Sequence, residues 1–238
     1  MFVSGLGVPL AESEKLFEFT IAGFPIKVAS LIVTEWAVMA LLIIFCLMAT
    51  RNMQIVPRGA QNLFELVATW CYDFFGGVVQ NRDIARKFSP LFATLFLFIL
   101  ISNYSGLIPG AGIAWRPYTG DWNVTVSLAL IVWFATQTAA IIANGVGGYL
   151  KHFFTPHWAF FPLNLLEVFT KPLSLTIRLF GNIFGEETII SYLLIMAPFI
   201  IPMALMGLGV LTGFIQAMIF AILAANYVGE VTEVHEHH

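Results

Sequence analysis

Between Leu163 and Leu194 an otherwise apolar run carries Glu167, Lys171, Arg178, Asn182, Glu186 and Glu187, groups that can hold or move charge. A guanidinium near the centre of a bilayer costs from a few to more than ~10 kcal/mol. Charges kept at that cost mark a pathway, a counter-ion or a sensor, so function is expected to turn on Arg178. Helical geometry sorts the others. At ~100° per residue, Glu167, Lys171, Ser174, Arg178, Asn182 and Gly185 fall within ~40° of one line. Glu187 lies about 180° round from Arg178 and ~13.5 Å further along the axis, so it should meet a different neighbour. Gly181 and Gly185 flank the arginine face and would admit a close-packed helix. Glu167 and Lys171 also satisfy the i,i+4 spacing of a plain structural ion pair.

A second polar residue interrupts the next apolar run, Gln216 in LTGFIQAMIFAILAANY. Pro198 stands midway between Arg178 and Gln216. A helical hairpin turning there would bring Gln216 level with Arg178, where its amide could hold the guanidinium. Gly207, Gly209 and Gly213 suggest close backbone packing on that second helix.

The elements that position these groups follow from composition. Of 238 residues, 59% are hydrophobic and 11% charged, against about 25% charged in soluble domains. The mean hydropathy is +0.86. A chain this apolar cannot cover its own surface with polar groups, whereas a lipid solvent removes that need. The length suits five or six spanning helices of ~20 residues each. The net charge of −3, with no basic stripe, excludes nucleic acid as a partner. Cys46 and Cys71 are far apart in apolar surroundings and suggest neither a disulfide nor a metal site. The N-terminus lacks the basic-then-apolar pattern of a cleavable signal. The closing EVHEHH reads as a solvated tail rather than a metal site.

The expected architecture is all-α integral membrane. A first span covers 28–50 and carries Glu35, whose role is open. An amphipathic helix over 57–80 lies along the membrane surface. Spans over 88–108 and 123–145 form a hairpin. Two long segments, 161–196 and 199–228, form a second hairpin, and 229–238 is a tail. The first of the long segments would reach ~54 Å, so it must tilt or partly leave a ~30 Å core. Arg51, Arg58, Arg82, Arg86, Lys87 and Lys151 fall on one side, against Lys15, Lys27 and Arg116 on the other. The positive-inside rule then puts the N-terminus outside and the C-terminus in the cytoplasm. No internal repeat of the transporter kind is evident.

The runs FTKPLSLTIRLFGNIFGEE and GFIQAMIFAILAANYVGE resemble subunit a of the F-type ATP synthases, in their bacterial and chloroplast form. The most specific parts are RLFGN, from Arg178 to Asn182, and IQA around Gln216. The resemblance covers most of the chain. It implies a non-catalytic stator, free of cofactors and metals, whose two long tilted helices pack against a rotating ring of c subunits. It also implies b-type peripheral stalk subunits and other ATP synthase subunits as partners, besides membrane lipid, and a bacterial inner membrane as the location. Arg178 matches the essential arginine facing the ring carboxylates, and Asn182, Gln216 and Ser174 match polar residues around it. Glu187, Glu186 and Asn103 match the outer aqueous half-channel, and Lys171 and Glu167 the inner one. Some members carry an aspartate three residues before the proline that Pro109 matches; here that position is Gly106. Three rival readings are a Na⁺-coupled version of the same subunit, an autonomous transporter or channel, and a non-conducting scaffold.

Overall fold

A computed structural model describes residues 15–21, 24–51, 54, 59–79, 81–106, 118–152, 158–196 and 200–233. Six α-helices account for most of them: α1 (Ser30–Thr50), α2 (Ala60–Gly76), α3 (Arg82–Ser105), α4 (Trp122–His152), α5 (Phe161–Met196) and α6 (Ile200–Glu233). The turn at Pro198, the loop around Arg116 and the end from Val234 to His238 lie outside the described residues. The membrane body is all-α. Ahead of it stands one small addition, an antiparallel ribbon of β1 (Lys15–Ile21) and β2 (Phe24–Ala29). Alternation in KLFEFTI suits a strand. Pro25 is tolerated because both strands of a two-stranded ribbon are edges.

Among the described residues, three helical stretches are long and apolar enough to cross a membrane: Arg82–Ser105, Trp122–Lys151 and Met203–Thr232. α5 is longer still, at 36 residues, but five ionisable groups interrupt it. Large apolar side chains such as Leu47, Phe134, Leu166, Phe169 and Met203 stand exposed around the bundle. Hydrocarbon tails are as apolar as leucine, so lipid solvates them without penalty.

Helix ends follow local chemistry rather than hydropathy alone. α3 starts at Arg82, six residues before the apolar run, because the Asn81 side chain accepts bonds from the backbone of Asp83 (3.1 Å) and Ile84 (3.3 Å). Asp83 in the first turn further suits the helix dipole. Arg82, Arg86 and Lys87 therefore belong to the helix, not to a loop. α4 runs past 145 to His152 but breaks at Gly145, whose φ of 68° suits glycine. The break folds the end of the helix back, and the Tyr149 hydroxyl reaches Gln137 Oε1 at 2.8 Å. In a straight helix those residues would stand ~18 Å apart along the axis. α6 likewise continues beyond 228, because Val228 and Thr232 are buried and Asn144 Nδ2 holds the Val231 carbonyl at 2.9 Å.

α6 packs most extensively on α3. Small side chains make that possible: Ala217, Ala221, Ala224 and Ala225 are all buried, beside Phe92, Ile99 and Phe220. Gly213 is the tightest point, since a Cβ there would stand 3.2 Å from Asn103 Cβ. Gly181, Gly185 and Gly207 differ, with open space where a Cβ would go. Their expected close partner is not an element among the described residues.

Both cysteines are free, with Cys71 fully buried. Burial on α2 pushes the Cys71 thiol up to about 11. Thiolate is the reactive form, so Cys71 should resist a water-soluble maleimide at pH 8 in native membranes and react after denaturation in SDS. Rapid native labelling would show that the α2 packing is wrong. Gly213→Val should overpack the α3–α6 seam by about 1–3 kcal/mol, which a lowered thermal midpoint of the detergent-solubilised subunit would register.

Candidate functional site

α5 carries the charged residues past three different surroundings. Ser174 and Arg178 are exposed, on an open groove of about 400 Å³ bordered by Thr170, Leu173 and Ile177. No carboxylate among the described residues forms an ion pair with Arg178. Apolar Leu173 and Ile177 beside it are also exposed, so this strip of α5 has no partner within the described chain.

Lys171 and Glu167 turn inward, into a cavity of about 300 Å³ between α4, α5 and α6. The Lys171 ammonium lies 2.9 Å from Glu167 and 2.8 Å from Glu230, and 5.4 Å from the centre of the Tyr227 ring. Gln137, Asn144, Tyr149 and Asn164 add polar groups to the same walls. Sequence alone does not single out Glu230, Tyr227 or these α4 residues. Apolar content places Glu230 in the tail, and the fold-back at Gly145 leaves only a glycine as its signature. The signal that could find them is Tyr227 and Glu230, one turn apart just where the apolar run of α6 gives out.

Asn182 parts from the arginine strip. It lines a third cavity of about 310 Å³ with Gly181, Gly185, Glu186 and Thr212, and the Thr212 hydroxyl donates to Glu186 Oε2 at 3.2 Å. Glu186 also borders a narrow cavity of about 40 Å³ that brings it together with Glu187, Asn103, Gly106 and Gly213. The 3-10 turn Tyr118–Gly120 packs beside Glu187 and Ile183. A Cβ at Gly120 would stand 3.2 Å from Glu187 Oε2, so the turn makes a close approach to the carboxylate. Asn103 is only 5% exposed. Its Oδ1 accepts from Thr119 at 2.9 Å and its Nδ2 donates to the Gly213 carbonyl at 3.0 Å. Both ends of the amide are thus committed to tying α3, the turn and α6 together. Glu35 lies within electrostatic reach of Asp121, the residue after that turn, which gives its location if not its role.

Gln216 does not meet the arginine as the hairpin geometry predicts. It is buried, at 7% exposure, its Nε2 has no hydrogen-bond partner, and no bond joins it to Arg178. The reason is register. Thr212 reaches Glu186 and Glu230 reaches Lys171. Interpolation between these two cross-links sets Arg178 level with about residues 220–223, one to two turns beyond Gln216.

Comparison with known proteins gives the family. The family model described as ATP synthase A chain matches residues 32–229. A curated relative, ATP synthase subunit a of Moorella thermoacetica, is 40% identical over 211 residues, which is 89% of this chain and 94% of the relative. An apolar helical body, an arginine standing without a counter-ion on a long helix, and a match over most of the length together lead to one conclusion: this chain belongs to the ATP synthase A chain family.

Proposed function

We propose that the chain is the proton-conducting stator of a rotary ATP synthase, with Arg178 as the fixed cation that faces the carboxylates of a c-subunit ring. The observation that carries this reading is the exposed Arg178, which has no ion-pair partner among the described residues and stands in a strip of exposed apolar side chains. Its counter-charge then belongs to another subunit, and the open strip of α5 is where that subunit packs.

The mechanism follows from electrostatics. A ring carboxylate crossing lipid must be neutral, because a bare charge there is expensive. Opposite Arg178 the same group is favoured as the anion, since a nearby cation lowers a carboxyl pKa. It releases its proton on approach and takes another on departure. Two aqueous paths opening on opposite sides turn each exchange into transport of one proton across the membrane. The driving energy is ~2.3 kcal/mol per charge per 100 mV.

The cavities divide accordingly. Glu187 and Glu186 serve the outer path, with Asn103 holding its walls in place. Lys171 and Glu167 serve the inner path. Arg178 stands between, ~10.5 Å from Lys171 and ~13.5 Å from Glu187 along the helix axis. Its charge repels a hydrated proton and blocks a direct leak. Ser174 lies beside it, Asn182 leads toward the outer cavity, and the unpaired amide of Gln216 offers a donor one or two turns away. The chain makes and breaks no covalent bond besides those to protons, and ATP chemistry falls to other subunits. Peripheral stalk subunits hold it still, and the basic residues place its C-terminal end in the cytoplasm of a bacterial inner membrane.

Arg178→Ala should abolish ATP synthesis in membrane vesicles while the complex still assembles, and Arg178→Lys should fail to restore it to normal. Near-normal synthesis in the alanine variant would refute the reading; full activity in the lysine variant would favour a scaffold. Glu187→Gln should slow proton entry on the order of tenfold, ~1.4 kcal/mol in barrier. Proton flux equal to the parent's would remove Glu187 from the path.

A further inference from the structure

We propose that Glu230, on α6, is the proton-exchanging carboxylate of the inner cavity, with Lys171 as its positioning cation and Tyr227 standing between this cluster and Arg178. The proposal rests on the proton-conducting reading above and names a group that the family resemblance did not supply.

The first support is stoichiometry. One ammonium, Lys171, bonds two carboxylates, Glu230 at 2.8 Å and Glu167 at 2.9 Å. Removing one partner of a simple covered ion pair strands the other charge at high cost. Here a proton can settle on Glu230 while Lys171 keeps Glu167, so no charge is stranded. The Glu167 bond is a local i,i+4 contact on α5, whereas the Glu230 bond crosses between helices. Glu230 is therefore the member that can let go without disturbing the helix that carries Arg178.

The second support is access. The Glu167 and Glu230 side chains are about half exposed, while Lys171 is mostly covered. The carboxylates face the cavity of about 300 Å³. Trp133 Nε1 and Asn144 Oδ1 line it, one a donor and one an acceptor, and both are buried without a protein partner. Such orphaned groups in a roomy cavity are satisfied by water. Water held by these groups would occupy the same cavity that Glu167 and Glu230 line.

The third support is position. Lys171 sits two turns from Arg178, within ~20° of the same line on α5. Tyr227 lies over Lys171 and within electrostatic reach of Arg178 as well. The charged and titratable groups facing Glu230 are then Lys171 and Glu167 from α5, Tyr227 from its own helix, and Tyr149 from the folded-back end of α4.

The step is a proton transfer only. A hydronium in the cavity gives its proton to Glu230 Oε2 and becomes water, and the Lys171–Oε2 bond lengthens. Neutral Glu230 then returns the proton to the next water and re-forms the bond. No electrons change hands and the sequence runs in either direction.

The test uses the whole ATP synthase in inverted membrane vesicles, with ATP-driven acidification measured across a pH series. Glu230→Gln should cut pumping on the order of tenfold and flatten the pH dependence. Glu230→Asp should keep most of the rate with a shifted profile. Glu167→Gln should slow pumping less and leave the profile's shape. Parental pumping and profile in the glutamine variant would overturn the proposal. So would an aspartate variant that assembles yet has either an unshifted profile or the same defect as glutamine; this arm decides if the glutamine variant does not assemble. Arg178→Ala, run beside them, separates the two levels. If it still pumps, the underlying reading fails; if it is silent while Glu230→Gln pumps normally, the Glu230 assignment alone fails.

Discussion

A guanidinium beside hydrocarbon is stable only with an anion to face, and Arg178 has none within reach among the described residues of its own chain. The other features of the membrane body make sense as consequences. α5 must present this cation outward, so the strip around it, Leu173, Ser174 and Ile177, is exposed. The other charged side chains of α5 meet different surroundings. Lys171 and Glu167 turn to a cavity on one side, Glu186 and Glu187 to cavities on the other. A single helix thereby separates two polar compartments by a fixed positive charge.

The rest of the bundle holds α5 in that posture. α3 and α6 lock through small side chains and through Asn103, whose amide bonds Thr119 at one end and the Gly213 carbonyl at the other. Gly120 brings a turn close to Glu187, at a pocket of about 40 Å³ that adjoins the cavity of about 310 Å³ lined by Glu186 and Asn182. On the Lys171 side, Gly145 breaks α4 and folds its end back, so that Tyr149 joins the walls of the cavity of about 300 Å³.

Much of this layout is legible in the amino-acid sequence. The cost of a charge in lipid singles out Arg178, and helical periodicity separates it from Glu187. The bounds of α5 can be read because an apolar run between polar breaks is a strong signal. What cannot be read is decided mostly by contacts distant in sequence. The start of α3 depends on the Asn81 cap, a local cue that hydropathy overrides. The register of α5 against α6 depends on where their turn falls, and a shift of a few residues moves Gln216 one to two turns from Arg178. Glu230 escapes because its partner lies on another helix and apolar content alone ends α6 too early. The β1–β2 ribbon is short, and its alternation is lost beside the stronger helical signals.

The central claim is that Arg178 faces a carboxylate on a different subunit. Cysteine cross-linking tests it in the assembled complex, with Ile177→Cys on the exposed strip of α5 and a cysteine placed one turn from the ring carboxylate. Mild oxidation should join the two chains and stop rotation, and reduction should restore it. Cross-linking from the buried position, with Ile183→Cys in place of Ile177→Cys, while the Ile177 variant stays unlinked, would contradict the account.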